Sequence, residues 1–154
     1  MTPDAYSFRS ADETDAVTVA ELVQAAYGHY VERIGMLPGP MTWDYAEIIR
    51  DRDVTVAESA DTVVGVLVLG VEDEGFFVGN VAVDPSHRGR GLGRALLERA
   101  EAEARRAGFD AIHLYTHEKM TENQALYSRI GYVEYDRRRP QGDFALVYMR
   151  KPLG

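Results

Sequence analysis

The sequence predicts a mixed α/β domain, and three observations carry that prediction. Apolar residues recur at helical spacing in some segments and form short continuous runs in others, and the two kinds of segment are interspersed along the chain. No internal repeat, low-complexity tract or Pro/Ser-rich linker divides them, so residues 1–154 are expected to fold as one domain. A chain of this length buries about two thirds of its unfolded surface, enough for a core and an active site.

Residues 6–9 read as a short first strand. Asp12 or Thr14 is placed to cap a helix whose apolar positions Val19, Leu22, Val23, Ala26 and Tyr27 recur at helical spacing and which ends near Ile34 and Gly35. A loop covers 36–40, and a second helix is expected over 42–50. Segments 54–58, 63–71 and 76–83 read as three strands, separated by Asp61 and by Glu72-Asp73-Glu74-Gly75, that pair as an antiparallel meander. After a loop at 84–90, Leu92, Leu96, Ala100, Ala104 and Ala107 form one apolar stripe on a long helix stopped by Gly108. Residues 111–116 follow as a buried strand. Thr121-Glu122-Asn123-Gln124 fits a capping box, opening a short helix that runs to Ile130 and closes at Gly131. Segments 133–138 and 144–150 complete a hairpin. The order is β-α-α-β-β-β-α-β-α-β-β, an α/β (α+β) arrangement with helices on a mixed sheet.

The composition narrows the chemistry. The chain has no cysteine, which excludes disulfides, zinc–thiolate sites and a covalent thioester intermediate. A formal charge of −8 argues against a nucleic-acid partner and weakly favours cationic substrates. No apolar run approaches the roughly 20 residues of a membrane span, and the first residues lack the regions of a signal peptide, so a soluble cytoplasmic protein with no membrane partner is expected, as a monomer or homodimer.

Strand, glycine-bearing loop and long helix together suggest an anion site. Gly89, Gly91 and Gly93 let backbone approach a ligand closely, and the helix that opens at Leu92 directs unpaired N–H groups and the positive end of its dipole at the same point. A tight turn that uses glycine for packing remains the plain alternative. Nucleotide motifs fit worse: Gly-Lys-Ser/Thr is absent, the spacing is not G-x-G-x-x-G, and the position about twenty residues past Gly91, where a dinucleotide fold wants an acid, holds Ala111 and Ile112.

The run from Val81 through Asp84, Pro85, Ser86, His87 and Arg88 to Arg94 resembles the acetyl-CoA motif of the GNAT N-acetyltransferases, R/Q-x-x-G-x-G/A, with Arg88, Gly91 and Gly93 at its fixed positions. Asn123-Gln124-Ala125-Leu126-Tyr127, followed by Ile130-Gly131-Tyr132, is similar to the family's second motif in compressed form, and the resemblance spans residues 5–151. It implies a central twisted sheet splayed between the fourth and fifth strands, with acetyl-CoA as co-substrate in the gap. Val81, Ala82 and Val83 would pair with the pantetheine arm. Arg88, Gly89, Arg90, Gly91, Leu92, Gly93 and Arg94 would hold the pyrophosphate, and Asn123 the pantetheine amides. It further implies direct acetyl transfer to an amine acceptor, a small molecule or a protein amine, with Tyr127 protonating the departing thiolate. Tyr27, Tyr30, Met36, Leu37, Pro38 and Met41 would wall the acceptor pocket.

Tyr127 also reads as a core aromatic of a short amphipathic helix. No serine sits in G-x-S-x-G, so the residues supply no acyl-enzyme nucleophile. The sequence departs from many relatives in the general base, because residues 76–83 contain no acid. Glu72, Glu74, His29, His117 and Glu118 are the remaining candidates. His113 and His117 straddle an extended strand and lack an acid or cysteine cluster, so no metal site is expected. Arg137, Arg138 and Arg139 read as a solvated charge run or as a contact for an acidic group. Protein N-terminal or lysine acetylation, and a non-catalytic CoA-binding sensor, remain as alternatives.

Overall fold

The computed structural model describes residues 6–140 and 142–154. Seven strands form one sheet in the order β1-β2-β3-β4-β5-β7-β6. These are β1 (Ser7–Ser10), β2 (Asp53–Ser59), β3 (Thr62–Glu72), β4 (Gly75–Val83), β5 (Ala111–His117), β6 (Val133–Arg138) and β7 (Leu146–Pro152). Helices α1 (Ala16–Ile34) and α2 (Tyr45–Asp51) pack on one face, α3 (Leu92–Arg106) and α4 (Thr121–Arg129) on the other. Among the described residues β4–β5 is the one parallel strand pairing.

Each helix rests on the residues that read as apolar stripes. Val19, Leu22, Val23 and Ala26 of α1 pack with Ile49 of α2 and with Val56, Val66 and Val68 of the sheet. Across the sheet, Leu96, Ala100 and Ala104 of α3 are fully buried against Leu67, Ile112 and Leu114. Alternate residues of β3 therefore feed two cores, which is why it reads as one continuous apolar run.

The termini show where local chemistry overrode the sequence reading. Asp12 caps a 3-10 turn at Glu13–Asp15 in a reciprocal box with Asp15, and α1 starts one residue later. The second helix starts at Tyr45 rather than at 42, because the Asp44 side chain accepts the Ala46 and Glu47 N–H groups. The capping box expected at Thr121 does not form. Thr121 already lies inside α4, Met120 holds the cap position without a side-chain bond, and Gln124 Nε2 instead donates to the His117 and Glu118 carbonyls at 3.3 and 2.9 Å. The last strand begins at Leu146, since Phe144 leaves the sheet to stack on His117 at 5.0 Å.

Candidate active site

The site arises where β4 and β5 part. They pair only at Phe76 with Ile112 and Phe77 with His113. On the other edge of β4 the register with β3 slips, Val68 facing Asn80 and Leu69 facing Val78, so Gly79 is an extra, bulged residue. A bulge bends its strand and strengthens the local twist. Beyond Phe77, β4 therefore runs away from β5 with one edge lacking a strand partner, as the splayed sheet requires.

The bend is held from within by a buried polar chain. Tyr27 Oη donates to Asn80 Oδ1 at 2.7 Å and lies 3.0 Å from the Val81 carbonyl. Asn80 Nδ2 donates to Tyr45 Oη at 3.2 Å, and that hydroxyl donates to the Pro40 carbonyl at 2.7 Å. A polar residue in an otherwise apolar strand costs free energy unless satisfied, and here it ties β4 to α1, α2 and the 36–44 segment. Asn80 was not singled out from sequence. Its signal was available, as the one polar side chain in the run 76–83.

Two cavities fill the gap. One, of about 400 Å3, is lined by Val81, Ala82, Val83, Arg88, Gly89, Gly91, Leu92, Gly93 and Arg94 together with Tyr27, Tyr30, Asn123 and Tyr127. Gly89 and Gly91 take the left-handed conformation, φ +78° and +82°, and Gly91 caps α3. The first turn of α3 holds no acidic side chain. A helix start flanked by Arg88, Arg90 and Arg94, with no acid in its first turn, favours an anion there. Arg88 Nη2 donates to the Ala26 carbonyl at 2.7 Å, which fixes the loop to α1, and Arg90 is not among the lining residues.

The second cavity, of about 410 Å3, lies between the 34–44 segment, the bulge of β4, the end of β5 and Phe144. Tyr27, Met36, Leu37 and Pro38, four of the residues expected around an acceptor, line it. Tyr30 does not: it faces the first cavity. Met41, half-buried in the 3-10 turn Gly39–Thr42, packs against the core cluster beside α1 and lines neither. Trp43, Tyr115, Thr116 and Phe144 complete the wall and were not anticipated. Tyr115 and Thr116 were hidden by their place in an apolar strand, Phe144 by its assignment to one.

The cavities share four residues, Tyr27, Val81, Asn123 and Tyr127. Asn123 and Tyr127 lie one turn apart on the same face of α4, which brings both to the junction. Tyr127 is buried, and among the described residues its hydroxyl has no hydrogen-bond partner. Burial pushes its pKa above the ordinary tyrosine value, so it stays a phenol at neutral pH.

The five candidate bases are dispersed. Glu72 and Glu74 lie in a separate cleft with Arg138 and Tyr148, where Arg138 and the Tyr135 hydroxyl hold the Glu74 carboxyl below its usual pKa. Glu118 accepts the Ala145 N–H at 2.6 Å. His29 lines the first cavity, and burial lowers its pKa. His117 alone lines the second cavity. Its Nδ1 accepts the Lys119 N–H at 3.0 Å, so the neutral ring carries its proton on Nε2 and is a donor. His113 and His117 each stack on a separate aromatic, Phe77 and Phe144. Among the described residues no three His, Asp or Glu side chains are grouped to hold a metal ion. Arg137, Arg138 and Arg139 pair with Glu134, with Glu74 and Asp136, and with Glu118.

The splayed sheet, the bulge and the acid-free helix start define an acyl-CoA-binding architecture, and the comparisons place the chain within it. Residues 50–134 match the model of the acetyltransferase (GNAT) domain, more than half of the chain, and the protein belongs to that family. It is 39% identical over 101 residues to an IAA acetyltransferase of Azospirillum brasilense, a match covering 64% of this chain and 66% of the relative. Its fold is similar to that of the PaiA N-acetyltransferase of Thermoplasma acidophilum, solved with coenzyme A, at TM-score 0.79 and 17% identity over 96% of this chain and 98% of that one. The Salmonella typhimurium YncA structure, solved with acetyl-CoA, matches at TM-score 0.71 and 24% identity over 97% and 95%. Among the described residues no helix is long and apolar enough to cross a membrane.

Proposed function

We propose that this protein moves an acetyl group from acetyl-CoA to a primary amine by direct attack within a ternary complex. The observation that carries the reading is the junction: two cavities, one at the basic helix start and one behind it, meet at Tyr27, Val81, Asn123 and Tyr127. The first cavity takes the CoA. Backbone N–H groups around Gly89 to Gly93 receive the pyrophosphate, the unpaired edge of β4 receives the pantetheine amides with Asn123, and the thioester reaches the junction.

There the amine nitrogen attacks the carbonyl carbon, a backbone N–H of β4 near the bulge stabilises the oxyanion, and the Tyr127 phenol protonates the departing sulfur. Positioning of the two reactants supplies about 7 to 11 kcal/mol of barrier reduction in well-oriented systems, so the site needs few catalytic groups. The test is release of free CoA from acetyl-CoA with a panel of amines, with initial rates measured across both substrate concentrations. Intersecting double-reciprocal lines are expected. Parallel lines would contradict a ternary complex, and CoA binding without turnover on any amine or protein would favour a sensor.

A further inference from the structure

The second cavity has an unusual lining for a site that meets amines. Among the described residues it presents no lysine, arginine, aspartate or glutamate. Its rings are Tyr27, Trp43, Tyr115, Tyr127 and Phe144, and its polar side chains are chiefly Asn80, Thr116, Asn123 and His117. The carboxylate of Glu118, next in sequence to the lining residue His117, is turned to the Ala145 N–H and paired loosely with Arg139 at 3.9 Å. His117 has Nδ1 occupied by the Lys119 N–H, while Nε2 is buried without a partner. Neither side chain therefore offers the cavity a free base or counter-ion.

We infer that the acceptor is an amine that is uncharged at working pH, a weakly basic amine on an aromatic or otherwise apolar frame. The inference rests on the acetyl-transfer reading above. Moving an ammonium from water into a cavity without a counter-charge costs more than the ring faces return by cation–π attraction. A neutral amine pays no such penalty, and its frame covers the aromatic wall.

Proton balance points the same way. The nitrogen lone pair forms the C–N bond, the C–S bond breaks with its electron pair leaving on sulfur, the sulfur takes the Tyr127 phenol proton, and the one proton the nitrogen loses restores that phenol. Amine plus acetyl-CoA become amide plus free thiol, with no proton exchanged with solvent. An ammonium must shed a further proton first, and the lining holds no side chain placed to accept it.

The experiment uses the whole protein with acetyl-CoA at pH 7 and two acceptors on one frame, a ring amine that is neutral at this pH and its aminomethyl analogue, which is protonated. The ring amine is expected to show the higher kcat/KM by at least about tenfold, although the alkyl amine is the better nucleophile. Leu37→Glu then places a carboxylate on the cavity wall at a residue 50% exposed, where folding tolerates it. The ratio should move toward the aminomethyl compound by about tenfold, and Leu37→Gln should not reproduce the change. Equal or better turnover of the aminomethyl compound by the unaltered protein, or an unmoved ratio in Leu37→Glu, overturns the inference and leaves acetyl transfer standing. No CoA release with any amine, while acetyl-CoA still raises the melting temperature, overturns both.

Discussion

The Tyr27 hydroxyl reaches Asn80 Oδ1 at 2.7 Å inside the protein, and this bond joins α1 to the bulged strand that forms the junction of the two cavities. Tyr27→Phe removes the donor and leaves the Asn80 Oδ1 short of a partner in a buried place. A loss of about 1 to 3 kcal/mol in urea unfolding is expected, with a fall in kcat larger than the change in acetyl-CoA affinity. Unchanged stability would show that water replaces the hydroxyl there.

The anion site is tested at Gly93, which is a cleaner position than Gly91. Gly91 sits at φ +82°, so any side chain there strains the backbone whatever it does to a ligand. Gly93 lies inside the first turn of α3, where an added Cβ meets only Val83 and Leu126 at 3.8 and 4.0 Å. Gly93→Glu should fold at least as well as the parent, since a carboxylate suits a helix start. The same charge should abolish the rise in melting temperature that acetyl-CoA produces by binding the folded state. A retained shift would remove the pyrophosphate from this loop.

Tyr127→Phe keeps the buried ring and deletes the hydroxyl at the junction. The rate of acetyl transfer is expected to fall by about 10- to 1000-fold with acetyl-CoA affinity nearly intact. Stopped-flow measurement of the chemical step decides between this and a purely structural ring, for which stability would change and the step would not.

Burial lowers the pKa of His113 and His117 below the usual histidine value. Groups with a depressed folded-state pKa bind protons more readily when unfolded, so their stabilisation is present above the unfolded value of about 6.5 and fades as pH falls through it. Urea midpoints should therefore drop between pH 7.5 and 5.5. In His113→Phe the drop should be smaller, and an undiminished drop would assign it to other groups.

Much of this was legible in the sequence because the signals were local. The stripe of Leu92, Leu96, Ala100 and Ala104 and the glycines at 89, 91 and 93 each announce themselves within a few residues, and the helix start lies where they placed it. What escaped depended on contacts between distant segments. Phe144 is drawn out of its strand by His117, 27 positions before it, and Gln124 is taken from its cap by the turn after β5. Tyr30 and Met41 belong to the same two stretches as Tyr27 and Leu37, and only their orientation about α1 and the 3-10 turn separates the residues of one cavity from those of another or of the core.

The central claim is that the acceptor's own neutral amine, rather than an enzyme base, drives transfer, and the pH dependence of kcat/KM tests it most directly. Two acceptors of different pKa should give profiles that rise about tenfold per pH unit and level off each at its own amine pKa. Two profiles that break together near pH 6 to 7, whatever the acceptor, would contradict the account and identify a titrating group of the protein.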